Sequence, residues 1–96
     1  MDMLVTYDVN TLTADGRRRL RKVAKVCTGF GQRVQYSVFE VSVNPMQRER
    51  MMEKLLAILN QSEDSLRVYH LYGGRDKVVE AFGRDSYIDY TGPLIL

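Results

Sequence analysis

The order in which hydrophobic spacing switches between strand and helix patterns constrains this chain most. Residues 1–10 (MDMLVTYDVN) are rich in strand formers and end in turn-forming residues, which predicts a buried strand. Residues 13–27 place apolar side chains at i, i+3, i+4 and i+7, which is typical of an amphipathic helix. The same spacing rules predict strands in 32–43 and 65–72 and a helix from 45 to about 59.

The segment 32–43 changes its pattern half-way. Apolar residues alternate with polar ones up to Val38, and from Phe39 onward they occupy the opposite phase. A period of two cannot change phase without a bulge or a chain reversal. We therefore predict either two short strands that meet around residues 35–37 or one sharply bulged strand.

The resulting order, β-α-β-β-α-β, predicts an α+β, ferredoxin-like sandwich with two helices on one face of an antiparallel sheet. Residues 78–82 predict an extra C-terminal strand. We assign residues 1–82 to this domain. The tail, 83–96, ends in apolar residues, and we expect it to dock on a partner subunit.

Several predicted strands are apolar on both alternations, as in the pairs Leu4–Val5 and Val68–Tyr69. A sheet with water on one face should instead alternate apolar and polar residues. We expect the face without helices to be buried against the sheet of an identical subunit, which predicts a homodimer.

Composition narrows the class of protein. Ninety-six residues suffice for one domain, and the single cysteine, Cys27, excludes an internal disulfide and a cysteine-based zinc site. No stretch approaches the roughly 20 apolar residues of a membrane span. The first ten residues lack the basic and small-residue features of a signal peptide. We expect a cytoplasmic protein without membrane association.

The net charge of +2 hides a concentrated basic region. Six of the 14 lysines and arginines lie in residues 17–25, with no acid among them: Arg17, Arg18, Arg19, Arg21, Lys22 and Lys25. A solvated helix face usually carries both signs of charge, although a basic run is often no more than such a face. The absence of acids favours a surface that binds nucleic acid.

Asp8 is the leading candidate for chemistry, because it follows a buried strand and precedes the basic helix. An aspartate at a strand end is also a common turn former or helix cap. Mg²⁺ takes oxygen ligands, but one carboxylate does not make a site, and no second acid lies close in sequence. A symmetric dimer would supply the second copy of Asp8, so we expect metal binding to depend on dimerisation.

Other residues have weaker signals. Arg33, Tyr36 and Phe39 surround the phase change and are suited to nucleic-acid contact by charge and stacking, while core packing explains the two aromatic rings equally well. Cys27 lies on the apolar stripe of the first helix, and this position predicts a structural residue. His70 has no acid or cysteine at an informative spacing, which predicts a strand-surface residue.

Four blocks of the sequence, in order, resemble the small CRISPR-associated nuclease family, the second of the two universal spacer-acquisition proteins. The blocks are VTYDVN (5–10), GRRRLRKVAKVC (16–27), GQRVQYSVFEV (31–41) and DSLRVYHLYG (64–73). They cover about three quarters of the chain, and the ending DYTGPLIL (89–96) is similar to one subgroup.

This resemblance implies a ferredoxin-like homodimer that holds a divalent metal, usually Mg²⁺, between the two copies of Asp8. It also implies a metal-dependent endonuclease acting on RNA or double-stranded DNA, and a complex with the larger CRISPR integrase. The family places residues that affect nucleic-acid handling at Tyr7, Arg17, Arg19, Arg33 and Phe39.

Three hypotheses follow from the sequence. The first is a Mg²⁺-dependent phosphodiesterase with Asp8 as the catalytic and metal-binding residue. The second is a non-catalytic dimeric scaffold that uses the same basic helix to hold DNA for the integrase. The third is a small regulatory domain that binds a metabolite, which a salt-insensitive failure to bind any nucleic acid would favour.

Overall fold

Seven elements follow one another in the computed structural model, which describes residues 1–84 and 87. Their order is strand, helix, strand, strand, helix, strand and a short final helix. None of the described helices is both long and apolar enough to cross a lipid bilayer. The elements are β1 (Asp2–Asp8), α1 (Ala14–Phe30), β2 (Gly31–Gln35), β3 (Val38–Ser42), α2 (Pro45–Ile58), β4 (Ser65–His70) and α3 (Arg75–Val78).

The four strands form one antiparallel sheet in the order β2-β3-β1-β4. Because β1 is central, its register sets the two ends of the sheet. At one end Asp8 lies opposite Ser65, the first residue of β4. At the other, Asp2 lies opposite Ser42, the last residue of β3. We call these the Asp8 end and the Asp2 end.

The core lies between the sheet and the helices. Alternate residues of β1 point into it, beginning with Met3 and Val5, which are fully buried. Phe39 lies opposite Val5 in the register and is buried as well. Fully buried side chains of both helices complete this layer: Val23, Cys27, Met51 and Leu55. This confirms the predicted ferredoxin-like α+β fold.

Both helices begin where the sequence predicts. The Thr13 hydroxyl accepts a hydrogen bond from the Gly16 amide (3.0 Å), which caps α1. Asn44 and Gln47 form a reciprocal capping box ahead of α2, at 2.8 and 2.9 Å. Such caps satisfy amides that lack an intrahelical partner, so local sequence is enough to fix the start of a helix.

The phase change in 32–43 combines both predicted possibilities. The chain reverses through a turn at residues 36 and 37, so β2 and β3 form a hairpin. The pairing is also irregular between Arg33 and Gln35, which shifts the register by one residue. The Tyr7 amide donates to the Ser37 carbonyl (3.2 Å), so the tip of this hairpin lies at the Asp8 end.

The extra C-terminal strand is not confirmed. Val78 closes the four-residue helix α3, and residues 79–82 take no part in the sheet. Two glycines with positive φ, Gly73 and Gly74, turn the chain after β4 and start this helix instead. The predicted docking of the tail falls on residues that, apart from 83, 84 and 87, lie outside the described part of the chain.

Candidate nucleic-acid and metal site

Asp8 is the last residue of β1 and is exposed to solvent. Its neighbours Tyr7 and Val9 are buried, so the strand end is anchored while the carboxylate projects from it. Within the described part of the chain, no hydrogen bond or ion pair involves this carboxylate. A carboxylate that the fold fixes in place but does not use remains available as an oxygen ligand.

A basic surface runs along α1 from the same end of the sheet. Its members are exposed, and we call them the α1 basic surface: Arg17, Arg18, Arg21, Lys22 and Lys25. Arg18 pairs with Asp15 at 3.1 Å, but both side chains are more than half exposed, so this pair leaves the guanidinium accessible. The predicted basic face of the helix is therefore present.

The loop between β1 and α1 packs closely against the first turn of the helix. A Cβ at Gly16 would collide with the Asn10 carbonyl oxygen, so only glycine allows this approach. Arg17 donates from Nη1 to the Thr11 carbonyl (3.1 Å) and closes the same loop. These contacts bring the start of the α1 basic surface next to the strand end that carries Asp8.

Arg33 lies over two aromatic rings near the hairpin tip. Its guanidinium carbon is 5.2 Å from the centroid of Phe39 and 5.8 Å from that of Tyr36. The Tyr36 ring is 77% exposed, which makes it a stacking surface at the Asp8 end. Burial raises the pKa of the Tyr7 phenol, and the neighbouring Arg33 guanidinium opposes that rise.

Tyr7 and Phe39, two of the predicted nucleic-acid contacts, lie in the core of the single chain. Phe39 is fully buried and Tyr7 is 6% exposed, and their rings stack with centroids 6.2 Å apart. Neither ring offers a surface to a ligand in this chain. The Phe39 ring lies beneath the Arg33 guanidinium, because the sheet register brings Phe39 opposite Arg33 on β2.

Arg19, another of the predicted nucleic-acid contacts, is held by two acids. Its guanidinium donates to Asp64 from Nε (2.9 Å) and to Glu63 from Nη2 (3.0 Å), and only 16% of its side chain is exposed. It therefore joins α1 to the loop before β4 rather than facing solvent with the α1 basic surface. The Asp64 carboxylate, which accepts this hydrogen bond, raises the pKa of Arg19.

Asp64 is a site residue that the sequence patterns did not indicate. Its side chain is fully buried, which by itself would raise the pKa of the carboxyl. Hydrogen bonds from Arg19, Asn60 and Asn10 outweigh burial and hold that pKa below its ordinary value. One signal was available: Arg19 precedes the buried Val23 and Cys27 at intervals of four, which places it beside the buried stripe.

Cys27 and His70 have the structural positions predicted for them. Cys27 is fully buried in the core, and burial raises the pKa of its thiol to about 11. His70 is exposed at the end of β4, where its ring stacks on Tyr72 at 5.7 Å. The thiol is thus neutral at physiological pH. Cys27 lies beneath the surface, and His70 lies away from the Asp8 end.

The acids near the Asp8 end differ in what they can bind. Asp15, Glu63 and Asp64 are paired with arginines, whereas Asp8 is not. Among residues 1–84 and 87, no three His, Cys, Asp or Glu side chains form a group that could hold a metal ion. One copy of the described chain thus offers a divalent cation a single suitable carboxylate at this end.

Comparison with known proteins identifies relatives along the full chain. The family described as CRISPR associated protein Cas2 matches residues 1–78. A protein of Moorella thermoacetica named CRISPR-associated endoribonuclease Cas2 1 is 49% identical over 96 residues, covering all of both chains. The CRISPR-associated endonuclease Cas2 of Halalkalibacterium halodurans is 44% identical over 95 residues and 99% of each chain.

The fold comparison agrees. The crystal structure of Streptococcus pyogenes Cas2 at pH 6.5 superposes with a TM-score of 0.77 and 49% sequence identity. The match covers 86% of the present chain and all of that one. The architecture and the sequence thus point to the same family.

Proposed function

The chain belongs to the CRISPR-associated Cas2 family, and from this premise we propose that it is a metal-dependent endonuclease acting on RNA or double-stranded DNA. We further propose that it works as a homodimer that takes part in spacer acquisition with the larger CRISPR integrase. The carrying observation is the exposed Asp8 carboxylate, unpaired within the described residues, beside the start of the α1 basic surface. The names of its relatives, endoribonuclease and endonuclease, support the type of reaction.

The residues present fit a divalent cation such as Mg²⁺ only if two chains contribute. Asp8 supplies the hard carboxylate oxygen that Mg²⁺ prefers, and Mg²⁺ commonly takes one or two carboxylates together with water and phosphate. The described residues of one chain provide no larger ligand group. We propose that Asp8 from each subunit of the dimer holds one cation between them.

The open face of the sheet supports this dimer. On the side away from α1 and α2, Leu4 lies beside Tyr69 on β4, and Thr6 lies beside Val38 on β3. Tyr69 is 45% exposed in the single chain, and the other three are half-buried. Asp8 follows on the same face, because side chains alternate along a strand. A twofold axis at this face would bring the two copies of Asp8 together.

Each residue then has a role in phosphodiester cleavage. When bound, the cation neutralises charge on the scissile phosphate and acidifies a water molecule. Asp8 fixes the position of this chemistry at the strand end. Arg17 and Arg18 lie in the first turns of α1, where they can hold the flanking phosphates. Arg33 and Tyr36 offer a cationic, aromatic surface for a base.

A non-catalytic scaffold is the second candidate, and the length of the α1 basic surface favours it. The surface extends from Arg17 to Lys25, more than two helical turns, and so continues well beyond the strand end that carries Asp8. A charged stripe of this kind holds a nucleic-acid backbone without regard to any metal. In this role, duplex binding and support of the integrase would not require Asp8.

Substitution of Asp8 separates the two functions. We expect Asp8→Ala to lower Mg²⁺-dependent cleavage of RNA or duplex DNA by about a hundredfold or more, because the cation loses its protein ligand. Binding of the same nucleic acids in EDTA should remain unchanged. Asp76→Ala removes an exposed carboxylate at the Asp2 end and is the matched control.

Two results would contradict the proposed endonuclease activity. One is cleavage by Asp8→Ala at the wild-type rate. The other is wild-type dimer that binds nucleic acid but cleaves neither substrate at any Mg²⁺ concentration, which would favour the scaffold. Spacer integration with Asp8→Ala at an unchanged rate would show that the scaffold role stands by itself.

A further inference from the structure

The Asp64 carboxylate accepts four hydrogen bonds, two at each oxygen. Its Oδ1 accepts from the Asn10 amide (3.0 Å) and from Arg19 Nη2 (3.3 Å). Its Oδ2 accepts from the Asn60 amide (2.9 Å) and from Arg19 Nε (2.9 Å). Two carboxylate oxygens provide about four acceptor positions, so this group is saturated. Asp64 is therefore unsuited to bind a metal or to act as a base.

The donors belong to three different segments that meet beside Asp8. Asn10 is in the loop that leaves β1, Arg19 is on α1, and Asn60 follows α2. Asp64 itself immediately precedes Ser65, which lies opposite Asp8 in the β1–β4 register. Two connections thus join the backbone at Asp8 to the buried Asp64. The Asn10 amide, two residues after Asp8, donates to the carboxylate, and Ser65, which pairs with Asp8 across the sheet, follows Asp64 directly in the chain.

We propose that Asp64, held by Arg19, is a positioning residue that fixes the direction in which Asp8 leaves the sheet and so sets the affinity of the dimer for its divalent cation. This inference rests on the proposed function. A site assembled from two copies of one side chain doubles any error in its placement. Metal and catalytic groups tolerate displacements of only about half an ångström, which gives the anchoring of the strand end a direct effect on binding.

The same contacts give Arg19 a different role from its neighbours on α1. Arg21 is exposed and suited to contact phosphates, whereas Arg19 is largely buried against Asp64. Substitution of Arg19 should therefore resemble substitution of Asp64 and change metal affinity. Substitution of Arg21 should change nucleic-acid affinity and its dependence on salt.

The test measures Mn²⁺ binding to the purified dimer by calorimetry, without nucleic acid, and RNA binding in EDTA by anisotropy. The variants are Asp64→Asn, which keeps the shape of the side chain, and Arg19→Lys, which keeps the charge but loses the planar fork. We expect both to weaken Mn²⁺ binding about tenfold or more, the size of effect that supporting residues have at metal sites. RNA affinity in EDTA should stay within about twofold, and saturating Mg²⁺ should restore most of the cleavage rate.

Arg21→Gln is the control, with the opposite expectation: weaker RNA binding and unchanged Mn²⁺ affinity. If Asp64→Asn does not fold, Arg19→Lys alone decides the question. Folded variants that bind Mn²⁺ as tightly as wild type overturn the inference but leave the proposed function intact. A wild-type dimer that binds no Mn²⁺ overturns the proposed function and this inference with it.

Discussion

The two ends of the sheet are built alike and differ in one carboxylate. At the Asp8 end, Arg19 pairs with the buried Asp64. At the Asp2 end, Arg75 pairs with the buried Glu40 at 2.7 Å, and its amide donates to Asp2 (3.1 Å). Each end thus uses an arginine and a buried carboxylate to fasten a connecting segment to the sheet.

The two ends differ in whether a carboxylate remains unpaired. At the Asp2 end Arg75 contacts three acids: its amide donates to Asp2, its Nε donates to Glu40, and its guanidinium lies 3.7 Å from the exposed Asp76. The Tyr87 ring covers the same guanidinium at 3.7 Å. At the Asp8 end the described residues leave Asp8 unpaired. The Asp2 end contains a cavity of about 370 Å³. Among the charged residues that line this cavity, Arg75 is bonded to Asp2 and to Glu40. We therefore base the proposed site on the unpaired carboxylate next to basic residues and not on the cavity.

The largest effect should come from breaking the pair at the Asp2 end. Glu40→Ala leaves Arg75 largely buried without its main partner, which should lower the free energy of unfolding by about 3 kcal/mol. Urea unfolding measures this decrease, and the double variant Glu40→Leu with Arg75→Met should recover most of it. If Glu40→Ala that is still folded and dimeric loses cleavage as completely as Asp8→Ala, the two ends do not have separate roles.

Exposed tyrosines at the two ends offer a comparison of binding. Tyr36→Ser should weaken binding of single-stranded RNA in EDTA about tenfold, because it removes a stacking surface held by Arg33. Tyr72 is 82% exposed at the Asp2 end, and Tyr72→Ser should leave binding unchanged. Fluorescence anisotropy with a labelled oligonucleotide measures both. Equal decreases in affinity for the two variants would mean that RNA does not distinguish the ends.

The salt dependence of duplex binding should separate the α1 basic surface from basic residues elsewhere. Arg21→Gln combined with Lys22→Gln should reduce the slope of log K against log salt by about 1 for each phosphate that the variant no longer neutralises. Lys77 is exposed on α3, and Lys77→Gln should leave the slope unchanged. An equal decrease in slope for the double variant and for Lys77→Gln would contradict the proposal that the α1 basic surface binds the nucleic-acid backbone.

The smallest effect should be a change in the acid sensitivity of folding. The pKa of Asp64 is lower in the folded chain than its ordinary value of about 4. Its stabilising contribution is therefore present above that value and is lost as the pH falls through it toward the lowered pKa. Asp64→Asn should show a weaker fall in Tm than wild type as the pH is lowered through about 4, the ordinary pKa of the carboxyl. Parallel Tm profiles for the two proteins would contradict the pKa assignment.

Local sequence predicted the parts of the fold that local contacts decide. Thr13 and the Asn44–Gln47 pair start the two helices because each caps amides within three residues of itself. Asp8 could be singled out because strand and helix patterns meet next to it. Composition favoured a strand at residues 78–82, but the turn at Gly73 and Gly74 leads into a helix instead.

The parts that sequence could not supply depend on distant partners. Asp64 lies 45 residues from Arg19, and no spacing rule joins a loop acid to a helix arginine at that distance. In the sequence, this arginine is one of six basic residues, and its spacing from Val23 and Cys27 places it beside the buried stripe without identifying its partner. Phe39 and Tyr36 are ambiguous for the same reason, since an aromatic ring near an arginine in the sequence fits both a core and a binding surface.

The most direct test of the account is the stoichiometry of divalent-metal binding, measured by titrating Mn²⁺ into the purified protein and by native mass spectrometry. If the two copies of Asp8 share a cation, one ion should bind for every two chains, and Asp8→Ala should abolish that binding without dissociating the dimer. One ion bound per single chain, or an ion retained by Asp8→Ala, would contradict the shared site.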